Sequence, residues 1–166
     1  EQTKEGDLQR FFEEHPSLLL GTEHERLHAQ VVLRCDDGRS LRPDFLVEPL
    51  GCPDLCDIVD LKQPQQRVFI DKKNRPRLSA AVMDAVAQLR EYGAYFRDKR
   101  NHEWALSEYG FSAYRPTLMV IIGREEDGIR LGKQKEIQRD LAEVQVRTYD
   151  DVARRIKTMI RRLDGG

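Results

Sequence analysis

Hydrophobic positions along this chain change period several times, and each change marks an element. In "GDLQRFFEEHPSLL" near the N-terminus, Leu8, Phe11, Phe12 and His15 fall on one helical face, with Asp7 placed to cap the helix and Pro16 to end it. Residues 23–29 read as a further short helical turn. The period then drops to two: "QVVLRC", the Asp-Gly turn of "DDGRS" and "LRPDFLVE" predict a β-hairpin. After the loop "PLGCPDL", "CDIVDLK" predicts a third strand, and "RVFID" a short strand followed by the basic turn "KKNRPR". Ser79 caps a long helix over roughly 80–99, whose core stripe is Val82, Val86, Leu89, Gly93 and Phe96. "TLMVIIG" is a continuous apolar strand of the kind buried on both faces. "KQKEIQRDLAE" predicts a helix and "VQVRTY" a strand. Asp150 or Asp151 caps a last helix, on which Val152, Ile156, Met159, Ile160 and Leu163 share a stripe.

Strand-helix-strand units in the C-terminal half, after a meander of strands, predict an α/β domain: a mixed sheet with helices on both faces. Segment 101–116 is too aromatic for a bare linker and is expected to dock after the long helix.

Composition narrows the picture. The chain has 166 residues, 39% hydrophobic and 34% charged, enough for one folded domain with a real core. A net charge of −1 supplies no global basic field, so any nucleic-acid contact needs local patches. No apolar run reaches membrane-spanning length. No signal-peptide pattern opens the chain, and three cysteines make no disulfide framework; both point to the reducing cytoplasm. The start at Glu1 rather than Met suggests the C-terminal part of a longer protein.

The chemistry concentrates in "DIVDLKQP". Asp60 and Lys62 share one strand face, at a cost unless they are paired or metal-bound. If strands 42–48 and 56–62 pair, Asp44 of "RPDFLV" comes beside Asp60, and two adjacent carboxylates call for a cation. Oxygen ligands of this type, with the Leu61 backbone carbonyl, suit Mg²⁺ or Mn²⁺. A lysine beside such a metal is what a phosphodiester hydrolase uses to orient water or steady negative charge. On the long helix, Ala81, Ala85, Gln88 and Tyr92 form a stripe next to the core one, putting two hydrogen-bonding side chains in line with that site; alone, these two read as a half-buried flank.

"RPD" (42–44), "DLK" (60–62) and "QLREY" (88–92), in this order, resemble the PD-(D/E)xK nuclease superfamily with the Q-x-x-x-Y helix of its RecB-like members. Together with "LQRFFEEHPSLL", "AVAQLREY", "TLMVIIGR" and the ending "VQVRTYDDV", they resemble more narrowly the nuclease domain of the Shedu antiphage-defence family. The resemblance implies a restriction-endonuclease-like fold and metal-dependent cleavage of double-stranded DNA, phage-derived or linear, leaving a 5′-phosphate. It also implies a homo-oligomer, dimer or tetramer. Asp44 and Asp60 then match the metal ligands, Lys62 the catalytic lysine, and Gln88 and Tyr92 the helix motif. Relatives often use a glutamate of the first helix, for which Glu13 and Glu14 are candidates and Glu14 is preferred. The alternative is a DNA-binding or DNA-end-sensing module with a silenced centre. For backbone contact, the basic residues flanking the long helix stand out: Lys72, Lys73, Arg75 and Arg77 before it, Arg97, Lys99 and Arg100 after it.

Two further motifs compete. "HERLH" (24–28) matches the H-E-x-x-H of zinc peptidases, but no third-ligand motif follows and Arg26 sits inside it. Cys52 and Cys56, with Cys35 nearby, could join a histidine on zinc, yet lack paired knuckles and read as small hydrophobes.

Overall fold

The computed structural model describes residues 4–52, 54–72, 75–125, 139, 141 and 143–164. Its centre is a five-stranded mixed sheet ordered β1-β4-β5-β8-β9. β1 (His24–Ala29), β4 (Phe45–Pro49) and β5 (Asp57–Leu61) run antiparallel to one another; β8 (Leu118–Ile121) and β9 (Val144–Arg147) continue the sheet in parallel with β5. Two small ribbons, β2 (Leu33–Arg34) with β3 (Ser40–Leu41) and β6 (Phe69–Lys72) with β7 (Arg75–Leu78), stand apart from it.

Strand alternation sorts side chains between two cores. Leu46, Ile58, Leu118 and Val120 pack beneath α3 (Ala80–Tyr95), through its Val82, Val86 and Leu89. Phe45, Val47, Val59, Leu61, Met119 and Ile121 face the other way. They meet Phe12 of α1 (Glu5–Glu14), Leu18 to Leu20 of α2 (Pro16–Leu20), and Val152 and Ile156 of α5 (Tyr149–Asp164). The predicted α/β sheet with helices on both faces is thus the fold. The wheel drawn for α3 also holds, its five core positions being buried. No described helix is long and apolar enough to cross a membrane.

Several boundaries differ from the sequence reading. Residues 24–29 form edge strand β1, not a helical turn, because an available β4 edge outweighs the local helical spacing. The expected hairpin shrinks to β2–β3: Pro43 lacks an N–H and biases its predecessor to extended backbone, so the chain leaves the ribbon and β4 pairs with β1 instead. The long helix stops at Tyr95, since Asp98 accepts from the Arg100 N–H and starts α4 (Lys99–Tyr109), which Gly110 ends in the left-handed region. Segment 101–116 does dock: Tyr109 donates to the Val32 carbonyl at 2.9 Å. Of the basic stretch "KKNRPR", Lys72 and Arg75 to Arg77 belong to the β6–β7 ribbon, and Lys73 and Asn74 lie outside the described residues. Thr148, not Asp150 or Asp151, caps α5, its Oγ1 accepting from the Asp151 N–H while Asp151 accepts from the Thr148 N–H. The helix expected over "KQKEIQRDLAE" falls almost wholly outside the described residues.

Candidate active site

Phe45 pairs with Val59 across β4 and β5, so the same register sets Asp44 opposite Asp60 at the ladder's end. Both follow the Leu46/Ile58 side of the pleat, beneath α3. Asp44 Oδ2 accepts from the Leu61 N–H at 2.7 Å, fixing the first carboxylate against the second strand. Asp60 is 2% exposed. Lys62 Nζ stands 2.7 Å from Asp60 Oδ2, a close ion pair at the buried carboxylate.

The lysine is held from the helix side as well. Lys62 Nζ donates to Gln88 Oε1 at 2.9 Å, Gln88 Nε2 to Tyr92 OH at 2.6 Å, and Tyr92 OH to the Arg42 carbonyl at 3.2 Å. Gln88 and Tyr92 are therefore not polar tips in solvent. The i, i+4 spacing on α3 builds a relay from the ammonium to the backbone just before Asp44. A glutamine suits this place because its amide accepts from Lys62 and donates to Tyr92 at once.

Electrostatics follow from burial. Desolvation, then the charge of Asp60, raises the Asp44 carboxyl. Desolvation also raises Asp60, against the pull of Lys62. Burial works against the Lys62 charge, but Asp60, Glu5 and Asp44 outweigh it and hold the ammonium above its ordinary value. Two neighbouring carboxyls, both held above the ordinary carboxylate range chiefly by desolvation, form a donor set that a hard divalent cation would complete.

Two neighbours escaped the sequence reading. Glu5 Oε1 lies 3.8 Å from Lys62 Nζ, and desolvation raises its carboxyl too. The signal was present: Glu5 precedes Leu8 and Phe12 by three and seven residues, an acid on the stripe that packs on the sheet. Glu14, the preferred α1 acid, is exposed at the other end of the helix, about 13 Å away along the axis, and the half-buried Glu13 accepts from Gln30 at 3.4 Å. Tyr149 OH donates to the Lys62 carbonyl at 2.7 Å, tying the end of β5 to the start of α5. Nothing in the local pattern around "RTYDDV" foretold that contact.

The basic residues divide. Arg97, Lys99 and Arg100 are all exposed; Lys99 also pairs with Glu103 at 3.5 Å, and Arg100 with Asp36 and Asp98, each at 3.1 Å. Arg77 is exposed on β7. Lys73, and the side chains of Lys72 and Arg75, lie outside the described residues. The "HERLH" motif is on a strand with a bulge between His24 and Arg26. His24 bonds Asp57 at 3.3 Å and His28 bonds Glu48 at 2.6 Å, so the two histidines do not share the helical face that a peptidase site needs. A cavity of about 1250 Å³ lies between α2, β9 and α5, and neither Asp44 nor Asp60 lines it.

No curated protein matches the chain. A family model described as Shedu protein SduA, C-terminal, matches residues 2–153, and so takes in Asp44, Asp60, Lys62, Gln88 and Tyr92 together. The chain belongs to the Shedu family, in its C-terminal part.

Proposed function

We propose that this domain is a Mg²⁺-dependent deoxyribonuclease acting in antiphage defence, the role its family membership implies. One observation carries the reading: Asp44 and Asp60 from neighbouring strand ends, Lys62 and Gln88 converge at one end of the sheet. Asp44 and Asp60, with the Leu61 carbonyl, would hold Mg²⁺ or Mn²⁺. When bound, the cation would polarise a phosphodiester and make water more acidic. Lys62 keeps its proton and supplies a positive charge beside the scissile phosphate. Gln88 fixes the ammonium through its Oε1, and Tyr92 fixes the amide. Glu5 adds a third carboxylate within reach of the lysine. Exposed Arg77 and Arg97 are offered to the DNA backbone, and a homo-oligomer in the cytoplasm is the expected setting. The reading extends to the whole chain as a single nuclease domain.

Cleavage of linear and supercoiled duplex with Mg²⁺ or Mn²⁺, against chelator and Lys62→Ala, tests this. Metal-dependent cutting that falls at least about a hundredfold in the variant is expected, the loss typical of removing one transition-state charge partner. Equal cutting by Lys62→Ala would sink the assignment. DNA binding without cutting would favour a silenced, end-sensing centre, in which the grip of Asp60, Gln88 and Glu5 keeps Lys62 from its task.

A further inference from the structure

The same sheet face carries a second polar cluster, at its opposite end. Extending the β4–β5 register by one step sets Glu48 opposite Cys56, and β1 adds His28 from the edge. Four residues separate Asp44 from Glu48, about 13 Å along the strand, with Leu46 and Ile58 packed between the two ends. One donor atom each from His28, Glu48 and Cys56 lies within 4.8 Å of the others. Glu48 is 1% exposed, and its Oε2 has no hydrogen-bond partner among the described residues, although Oε1 meets His28 Nε2 at 2.6 Å. Phe111 stacks on the His28 ring at 3.8 Å and holds its plane in place.

The geometry points to a zinc site formed by His28, Glu48 and Cys56, separate from the carboxylate centre and of different ligand chemistry. A thiolate with an imidazole selects a borderline-soft ion such as Zn²⁺ over Mg²⁺. Bonds of about 2.0–2.3 Å to a tetrahedral ion set ligand atoms roughly 3.3–3.8 Å apart, so a bound ion would replace the 2.6 Å His28–Glu48 contact and draw on donors that already lie within 4.8 Å of one another. The His28 side chain is 19% exposed, leaving the fourth position to water at the sheet edge. A buried carboxylate with one idle oxygen is costly, and a cation would turn that cost into a bond. Its ligands come from β1, from β4 and from the residue just before β5, so the ion would fasten edge strand β1, with its bulge, to β4 and the start of β5. The two motifs that separately resembled zinc sites, "HERLH" and the C-x-x-x-C pair, each supply one ligand here.

Cobalt(II), the spectroscopic stand-in for zinc, tests the site by titration into the full metal-free chain. One equivalent should give a thiolate-to-cobalt charge-transfer band that zinc displaces, with proton release. Zinc at a hundredfold excess over Kd should raise Tm by about 5–10 °C. Cys56→Ser should lose the band, and His28→Gln should weaken binding at least tenfold, roughly the least that even an outer partner costs. Asp60→Asn should keep the band, so failure of the nuclease reading would leave this result standing. A missing band, or one that survives Cys56→Ser and vanishes with Cys52→Ser, would overturn the proposal. Should Cys56→Ser fail to fold, a full-strength band in His28→Gln would overturn it equally.

Discussion

Acidifying the metal-free protein from pH 7 to pH 5 is expected to stabilise it through the Asp44 carboxyl. Burial, then the Asp60 charge, moves the Asp44 carboxyl from 3.8 to about 6. Between those values the folded state binds more protons than the unfolded state, so stability falls as pH rises and returns as pH drops. Integrating from pH 7 to 5 gives about 1.3 kcal/mol for a single group moving from 3.8 to 6, trimmed to about 1 kcal/mol because Asp44 is only half-buried. For a domain of this size that is a Tm gain of about 2–4 °C. Calorimetry at fixed ionic strength with chelator should compare wild type with Asp44→Asn, whose amide oxygen can still accept from Leu61. Groups remote from Asp44 drop out of the difference, whereas Asp60 and Glu5, which feel its charge or share its hydrogen bond, respond with it as one cluster. Wild type should gain those degrees over the variant on going to pH 5, and Mg²⁺ should reduce the gain by holding the carboxylate ionised. Parallel pH profiles for the two proteins would refute the argument.

Gly123 sits at φ +66°, and a Cβ there would lie 2.3 Å from the Gln66 carbonyl oxygen; Gly123→Ala should cost about 2–4 kcal/mol in urea unfolding, and a loss below 0.5 kcal/mol would contradict the geometry. Tyr149→Phe removes the hydrogen bond to the Lys62 carbonyl. It should cost about 1 kcal/mol by the same measurement, and faster amide exchange at the end of β5 should accompany it.

What the sequence made legible was whatever depends on period within one element. α3 announced its core stripe and its polar stripe because helical spacing alone places Gln88 above Tyr92. β5 announced Asp60 and Lys62 because alternation is strict. Contacts set by tertiary choice stayed hidden. β1 has helical spacing in "HERLH", and only the free edge of β4 makes it a strand. Glu5 was passed over for acids nearer the helix end, since nothing local says which end of α1 meets Lys62. Asp98 and Gly110 were readable boundary signals for α4, but the run of Arg97 to Arg100 read as the solvated end of one longer helix.

The register of β4 on β5 has an evolutionary consequence. Glu48 lies on β4 with Asp44 just before it, and Asp60 on β5 with Cys56 just before it, all four in step with Leu46 and Ile58 on the α3 side of the pleat. A one-residue insertion within 45–47 would turn one end of β4 to the opposite face and separate its carboxylate from its partner. A slip of the whole strand would dismantle both ends together and expose Leu46 besides. A length change in either strand is therefore expected to cost at least one of the two clusters, whereas one in the flanking loops leaves the register intact.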